Sequence, residues 1–292
     1  MNGWTDDLLG FRAPRIEGGD LAVWSGAANS LFASGCEAQG FALLSSFAAP
    51  LMHIFPRSEG GAIVSLHGGR RAGKSVALAA AASVWTLPAD LTIGNTLRAA
   101  TEDIAKLRHL PALTTTLAGR DPTIAAALLF HFLRGDDGVS QWSTVLISIG
   151  GSALSLGHDI AQHTIELEVK VPRGLIVPDK QVPSVLEQKL LNNRGAAGAA
   201  YLRELVTPET VKWCRKMLAS KYALIADEVR VGDERKVQMR AIAAAWIAGE
   251  LCVRAKILEC SPERIARWAM GKVLPKRQRS AAEAGEEQSH DR

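Results

Sequence analysis

Gly68-Gly69-Arg70-Arg71-Ala72-Gly73-Lys74-Ser75 matches the pattern G-x-x-x-x-G-K-S/T in full. Residues of these types at this spacing bind a chain of phosphates. The glycines let the backbone curl so that successive N–H groups point inward at phosphate oxygens. Lys74 supplies a point charge to the β- and γ-phosphates, and Ser75 offers a hydroxyl to Mg²⁺. A helix beginning near Ser75 and continuing through Val76 adds its positive dipole end. The expected contact set therefore runs from Gly68 to Val76, with ATP and Mg²⁺ as the expected ligands and Ser75 as the metal ligand.

Hydrolysis asks for more than a cradle. It needs a carboxylate at a strand end to hold Mg²⁺, and usually a second group to position water. The candidate strand is Leu110 to Thr116, and Thr115 and Thr116 stand where an acidic pair is expected. A threonine hydroxyl is neither a base nor an anionic ligand. Asp121 follows closely, but before Pro122 its plainest role is a helix N-cap. Ser148, near the end of another strand, stands where a polar sensor of the γ-phosphate would; a strand serine bonded to backbone reads equally well. Arg134, in R-G-D-D, is a candidate arginine finger toward a neighbouring subunit, with an ordinary surface arginine as the alternative. Lys74, Ser148 and Arg134 are thus the catalytic candidates. His158 and His163 read as surface residues, and no G-x-S-x-G elbow, Cys/His pairing or H-E-x-x-H helix is present.

These residues need a scaffold of alternating elements. Ala62–Leu66 and Ser143–Ile149 are short apolar runs that predict buried strands, and Thr164–Val171 alternates as a half-exposed strand does. Leu91–Ile93 and Pro111–Thr116 are further strand candidates. Ser75–Trp85, Leu97–Leu107 and a segment opening at Asp121-Pro122 predict helices. Strands alternating with helices imply an α/β domain with a largely parallel sheet. Residues 1–25 read as irregular entry structure, and residues 26–55 as one or two buried helices. Pro172, Pro178 and Pro183 punctuate a connector. Helices then follow, with N-cap-then-Pro starts at Thr207-Pro208 and Ser261-Pro262. Met239, Ile242, Trp246 and Val253 form a packing stripe at helical spacing. The expected division is an N-terminal segment (1–55), an α/β core (56–175), a C-terminal helical region (176–274) and a disordered tail (275–292).

The composition sets outer bounds. With 292 residues, 47% hydrophobic and 22% charged, the chain is neither disordered nor fibrous. Its four cysteines make no C-x-x-C pair, which argues against zinc and disulfide frameworks and for a reducing cytosol. Met1 to Gly10 is no secretory signal. The most apolar stretch, Gly40–Phe55, is too short to span a bilayer and predicts a buried helix. The net charge of +4 hides an asymmetry: Arg203 to Arg279 holds 17 basic and 9 acidic residues. A basic helical third beside a mildly acidic α/β part suggests a polyanionic partner, unless it is only a solvated surface.

The stretch from the phosphate loop onward resembles the bacterial and phage family catalogued as domain of unknown function 927. Members of that family are similar to AAA+-type helicases of mobile genetic elements, in the style of MCM-like and superfamily 3 helicases. The matching pieces are the Trp24 region, G-G-R-R-A-G-K-S with its Ala-rich helix to Val84-Trp85, Asn95-Thr96, the strand led by Leu110-Pro111, the Trp142-led strand ending in Ser148-Ile149-Gly150-Gly151, the I-E-L-E-V strand and a C-terminal helical region. The resemblance implies an α/β fold of the P-loop NTPase type (AAA+/ASCE-like), with a parallel sheet flanked by helices and a C-terminal helical region. It also implies an ATP-dependent motor of DNA replication: a homo-oligomeric ring on single-stranded DNA, with replication proteins as partners; the cysteine pattern and the lack of a spanning stretch add the expectation of a cytoplasmic protein off the membrane. The family pattern has Asp-Glu where this chain has Thr115-Thr116, and S-T-G-E where it has Ser148-Ile149-Gly150-Gly151. The chain is therefore expected to be either a stand-alone motor core or a relic that binds nucleotide as a switch without efficient turnover. A P-loop kinase of a small molecule is the third reading, weakened by the lack of an Arg-rich lid.

Overall fold

The computed structural model describes residues 19–54, 61–69, 72–85, 107, 109–114, 145–151, 153–154, 158–170, 182–229 and 233–274. Among the described residues four strands form one parallel sheet: β1 (Ala62–His67), β2 (Ala112–Thr114), β3 (Val145–Ile149) and β4 (Thr164–Glu168), in the order β2-β3-β1-β4. The register sets Ser65 of β1 against Ser148 of β3 and Glu166 of β4, and Thr114 of β2 against Ser148. The inner strands β1 and β3 are buried along nearly their whole length, which is why their sequences are unbroken apolar runs. β4 has one described neighbour, and its alternating sequence leaves Glu168 exposed.

The helices among the described residues are α1 (Leu21–Asn29), α2 (Glu37–Met52), α3 (Lys74–Ser83), the single turn α4 (His158–Ala161), α5 (Val182–Asn192), α6 (Ala196–Leu205), α7 (Pro208–Glu228), α8 (Lys236–Arg254) and α9 (Pro262–Val273). Helix α2 is buried at every residue from Ala38 to Met52, as a helix apolar all round must be. It packs against α8 on one side and α3 on the other. The caps follow their sequence signals: Thr207 Oγ1 accepts from Thr210 N–H at 3.2 Å, and Ser261 Oγ from Arg264 N–H at 3.4 Å. One buried apolar cluster runs from Trp24 to Leu274. No helix among the described residues is long and apolar enough to cross a membrane.

Three expectations need correction. Residues 21–25 are not irregular: they open α1, because Asp20 Oδ1 caps the N–H groups of Ala22 and Val23 at 2.7 and 3.2 Å. Pro183 does not lie in a connector but in the first turn of α5, where a missing N–H breaks no intrahelical bond. In the α8 stripe, Met239, Ile242 and Trp246 are buried, but Val253 is 39% exposed. The last turn of α8 lines an open groove with Asn29, Phe32 and Lys256. The predicted Leu91–Ile93 strand, the Asp121 helix, Pro172, Pro178 and the tail from 275 lie outside the described residues, as does all of Leu97–Leu107 except helical Leu107.

Candidate phosphate-binding site

The loop leaves the sheet at the C-terminal end of β1. Gly68 follows at φ +140°, and a Cβ there would run into the carbonyl oxygen of Val169, just past β4. Val169 N–H in turn donates to His67 O at 2.8 Å, so the backbone turns closely against the sheet edge. Only glycine satisfies both conditions at once. Gly73, at φ +89° in the left-handed region, then sets the start of α3 and gives it no side-chain cap. Among the described residues the first-turn N–H groups therefore have no side-chain cap, and the positive end of the helix dipole faces the loop.

Lys74 is half-buried, and its Nζ donates to Gly68 O at 2.6 Å and to Gly69 O at 2.7 Å. The ammonium thus lies over its own loop. Ser75 is exposed at the head of α3, while the side chains of Ala72 and Val76 are buried, which leaves their main chain as what they can offer a ligand. Arg70, Arg71, Thr115, Thr116 and Arg134 lie outside the described residues.

The opposite end of α3 is anchored in an aromatic cluster around Phe47. Trp24, Trp85 and Tyr201 surround that ring at centroid distances of 6.1, 6.2 and 5.1 Å. Trp24 Nε1 donates to Ser83 Oγ at 2.8 Å, and Trp85 Nε1 to Ser46 O at 3.1 Å. A helix fixed at its C-terminal end holds its N-terminal amides in place.

Ser148 is brought beside the loop strand. Gly150 N–H donates to Leu66 O at 2.8 Å, so the chain leaving β3 lies against the end of β1. Register partners on parallel strands share a face, so Thr114, Ser148, Ser65 and Glu166 form one polar row across the sheet. Ser148 is 1% exposed, and its Oγ has no hydrogen-bond partner among the described residues. Glu166 accepts from Leu154 N–H at 2.6 Å, and Glu168 pairs with Lys170 at 3.0 Å. No three His, Cys, Asp or Glu among the described residues are grouped to hold a metal.

One residue at the loop has no counterpart among the sequence candidates. Gln39 of α2 is 4% exposed, and its Nε2 donates to Ala72 O at 3.1 Å. Its sequence signal is an amide side chain among the small and apolar residues of α2.

Much of the C-terminal positive charge is used internally. Lys221 pairs with Glu250 at 3.0 Å and lies 3.9 Å from the Trp246 ring centroid. Arg264 pairs with Glu37 at 2.7 Å, and Arg267 with Glu228 and Glu263 at 2.9 and 2.7 Å. The hydrogen bond from Arg267 holds the Glu263 carboxyl below its usual range. On α7, Lys212 and Lys216 are exposed without a partner among the described residues. The cysteines are free; burial pushes the Cys214 and Cys260 thiols up to about 12, far from thiolate chemistry at neutral pH.

Against known proteins, a family described as "Domain of unknown function (DUF927)" matches residues 15–103, a stretch that holds α1, α2, β1, the 68–73 loop and α3. No curated protein matches the chain. Among solved structures the chain is similar to one titled "SCCmec type IV Cch - active helicase", with a TM-score of 0.63 and 16% identity over 84% of this chain. The chain spans 50% of the length of that structure, and at this identity the likeness is one of fold.

Proposed function

We propose that the chain is the nucleotide-binding module of a helicase-like ATPase serving DNA replication in a phage or mobile element. The observation that carries this reading is the loop itself. It joins an inner strand of a parallel sheet to the uncapped N-terminus of α3, with the Lys74 ammonium lying over it. The positive end of a helix dipole and a cation held over the loop support a polyphosphate as the ligand, with the first-turn N–H groups of α3 as further donors. The fold likeness to a mobile-element helicase supports choosing a DNA-directed ATPase over a kinase.

In this reading the AAA+-type core takes ATP along Gly68 to Val76. Lys74 would meet the β- and γ-phosphates, and exposed Ser75 would offer its hydroxyl to Mg²⁺. Bound there, Mg²⁺ would supply charge neutralisation between the phosphates. Ser148, buried with an unused hydroxyl, is the sensor of the γ-phosphate, and Arg134 acts on the site of a neighbouring subunit in a ring. Thr115-Thr116 supports a second reading, in which nucleotide acts as a switch ligand and turnover is negligible.

ATP affinity and ATP turnover, each measured with and without single-stranded DNA, test the proposal, with Lys74→Ala as the control. Turnover stimulated by DNA supports the motor. Tight binding without turnover supports the switch. Absence of Lys74-dependent binding removes both.

A further inference from the structure

The polar side chains buried in α2 are accounted for differently. Ser45 Oγ donates to Phe41 O within the helix, and Ser46 Oγ to Ala81 O of α3. Gln39 instead reaches 33 residues along the chain to Ala72 O, and its Oε1 has no partner among the described residues. A Cβ built on Gly73 would lie 3.2 Å from the same Nε2. The amide is thus wedged against the peptide that precedes Lys74.

That peptide has a choice of orientation. In a planar trans peptide the Ala72 carbonyl and the Gly73 N–H point in opposite directions. Because residue 73 is a glycine, the unit can rotate at little steric cost. Only one orientation suits an anion, since an N–H facing a phosphate attracts it and a C=O repels it. Gln39 holds the carbonyl toward α2 and so turns the Gly73 N–H away from α2. Reversing the amide would set Oε1 against the Ala72 oxygen, which is why Oε1 is the atom left over. A buried acceptor without a partner is a cost that a methionine here would not carry.

We infer that Gln39 is a positioning residue of the phosphate loop, fixing the Ala72–Gly73 peptide in the orientation that receives the phosphates of the nucleotide. The inference rests on the phosphate-binding reading of the loop. It also joins the loop to the C-terminal helices, because Glu37, two residues earlier in the same turn, pairs with Arg264 of α9.

The test uses Gln39→Met, which keeps length and burial but removes the donor, beside Ser45→Ala as a control in the same helix. Binding of ATP with Mg²⁺ and of tripolyphosphate with Mg²⁺ is measured by calorimetry. The expected result is a loss of about tenfold for both ligands in Gln39→Met alone, the scale of one lost hydrogen bond, with an unchanged melting temperature. Wild-type affinity in Gln39→Met overturns the inference. So does a loss confined to ATP, which would place Gln39 on the nucleoside, or an equal loss in Ser45→Ala. Hydrogen exchange of the ligand-free loop separates this inference from the nucleotide-binding proposal. Faster exchange at Ala77, whose N–H donates to Gly73 O at 3.1 Å, in Gln39→Met supports positioning even if wild type binds no nucleotide, and unchanged exchange overturns it.

Discussion

At the scale of residues, backbone freedom and charge at the loop act together. Gly68 and Gly73 take conformations that side chains resist, and Gly68 also faces a carbonyl oxygen at close range. Gly68→Ala is expected to lower stability by about 2 kcal/mol or more, since both the positive φ and the close approach to Val169 are violated. Chemical denaturation reads this directly, and a variant as stable as wild type would show that the loop relaxes freely. Lys74→Ala should weaken ATP binding at least about tenfold while leaving the melting temperature nearly unchanged, because among the described residues the ammonium bonds two carbonyls of its own loop. The cysteines bear on alkaline stability. Cys214 and Cys260 have folded-state values near 12 against an ordinary 9.0, so burial favours the thiol. A value raised on folding gives stability that is complete below the unfolded pKa and lost as pH climbs through the folded one. The melting temperature should therefore hold to about pH 9 and fall above it, with a shallower fall in Cys214→Ala; an equal slope in that variant would assign the loss elsewhere.

At the scale of elements, α2 touches more of the candidate site's surroundings than its apolar sequence suggests. It carries Gln39 at the loop, Glu37 against α9 and Ser46 against α3, and its buried length is shared with α8. A purely apolar helix would fill the same space without connecting these parts. The C-terminal helices owe their starts to local caps. Thr207→Ala is expected to cost about 1 kcal/mol, seen as a lower urea midpoint at unchanged slope. A change in slope would instead mean that α7 frays in the native state.

For the whole molecule, the sum of charges and their placement lead to different conclusions. The sequence puts the positive excess in the C-terminal third, but Lys221, Arg264 and Arg267 serve ion pairs within the fold. A nucleic acid would meet the exposed cations instead. Lys212→Glu with Lys216→Glu should weaken binding of single-stranded DNA and lower its salt slope by about 0.7 for each phosphate no longer neutralised. Arg267→Ala should leave that slope unchanged. If Arg267→Ala alone reduces the slope, the DNA path lies along α9 rather than α7.

Part of this structure is settled by neighbouring residues among themselves and can be read from the chain. The phosphate-loop pattern, the apolar runs of β1 and β3, the buried course of α2 and the caps at Thr207 and Ser261 each depend on a few adjacent side chains and the backbone they pair with. The tertiary structure alone decided what depends on distant parts meeting. It set β3 between β1 and β2, lined up the row from Thr114 to Glu166, brought Gln39 to Ala72 and paired Arg264 with Glu37. It also left Val253 exposed at helical spacing that suggested burial, because exposure is set by what packs opposite and not by periodicity. Such pairings bridge 33 residues for Gln39 and 227 for Arg264, so no local pattern encodes them; they follow from how the whole chain buries its apolar surface.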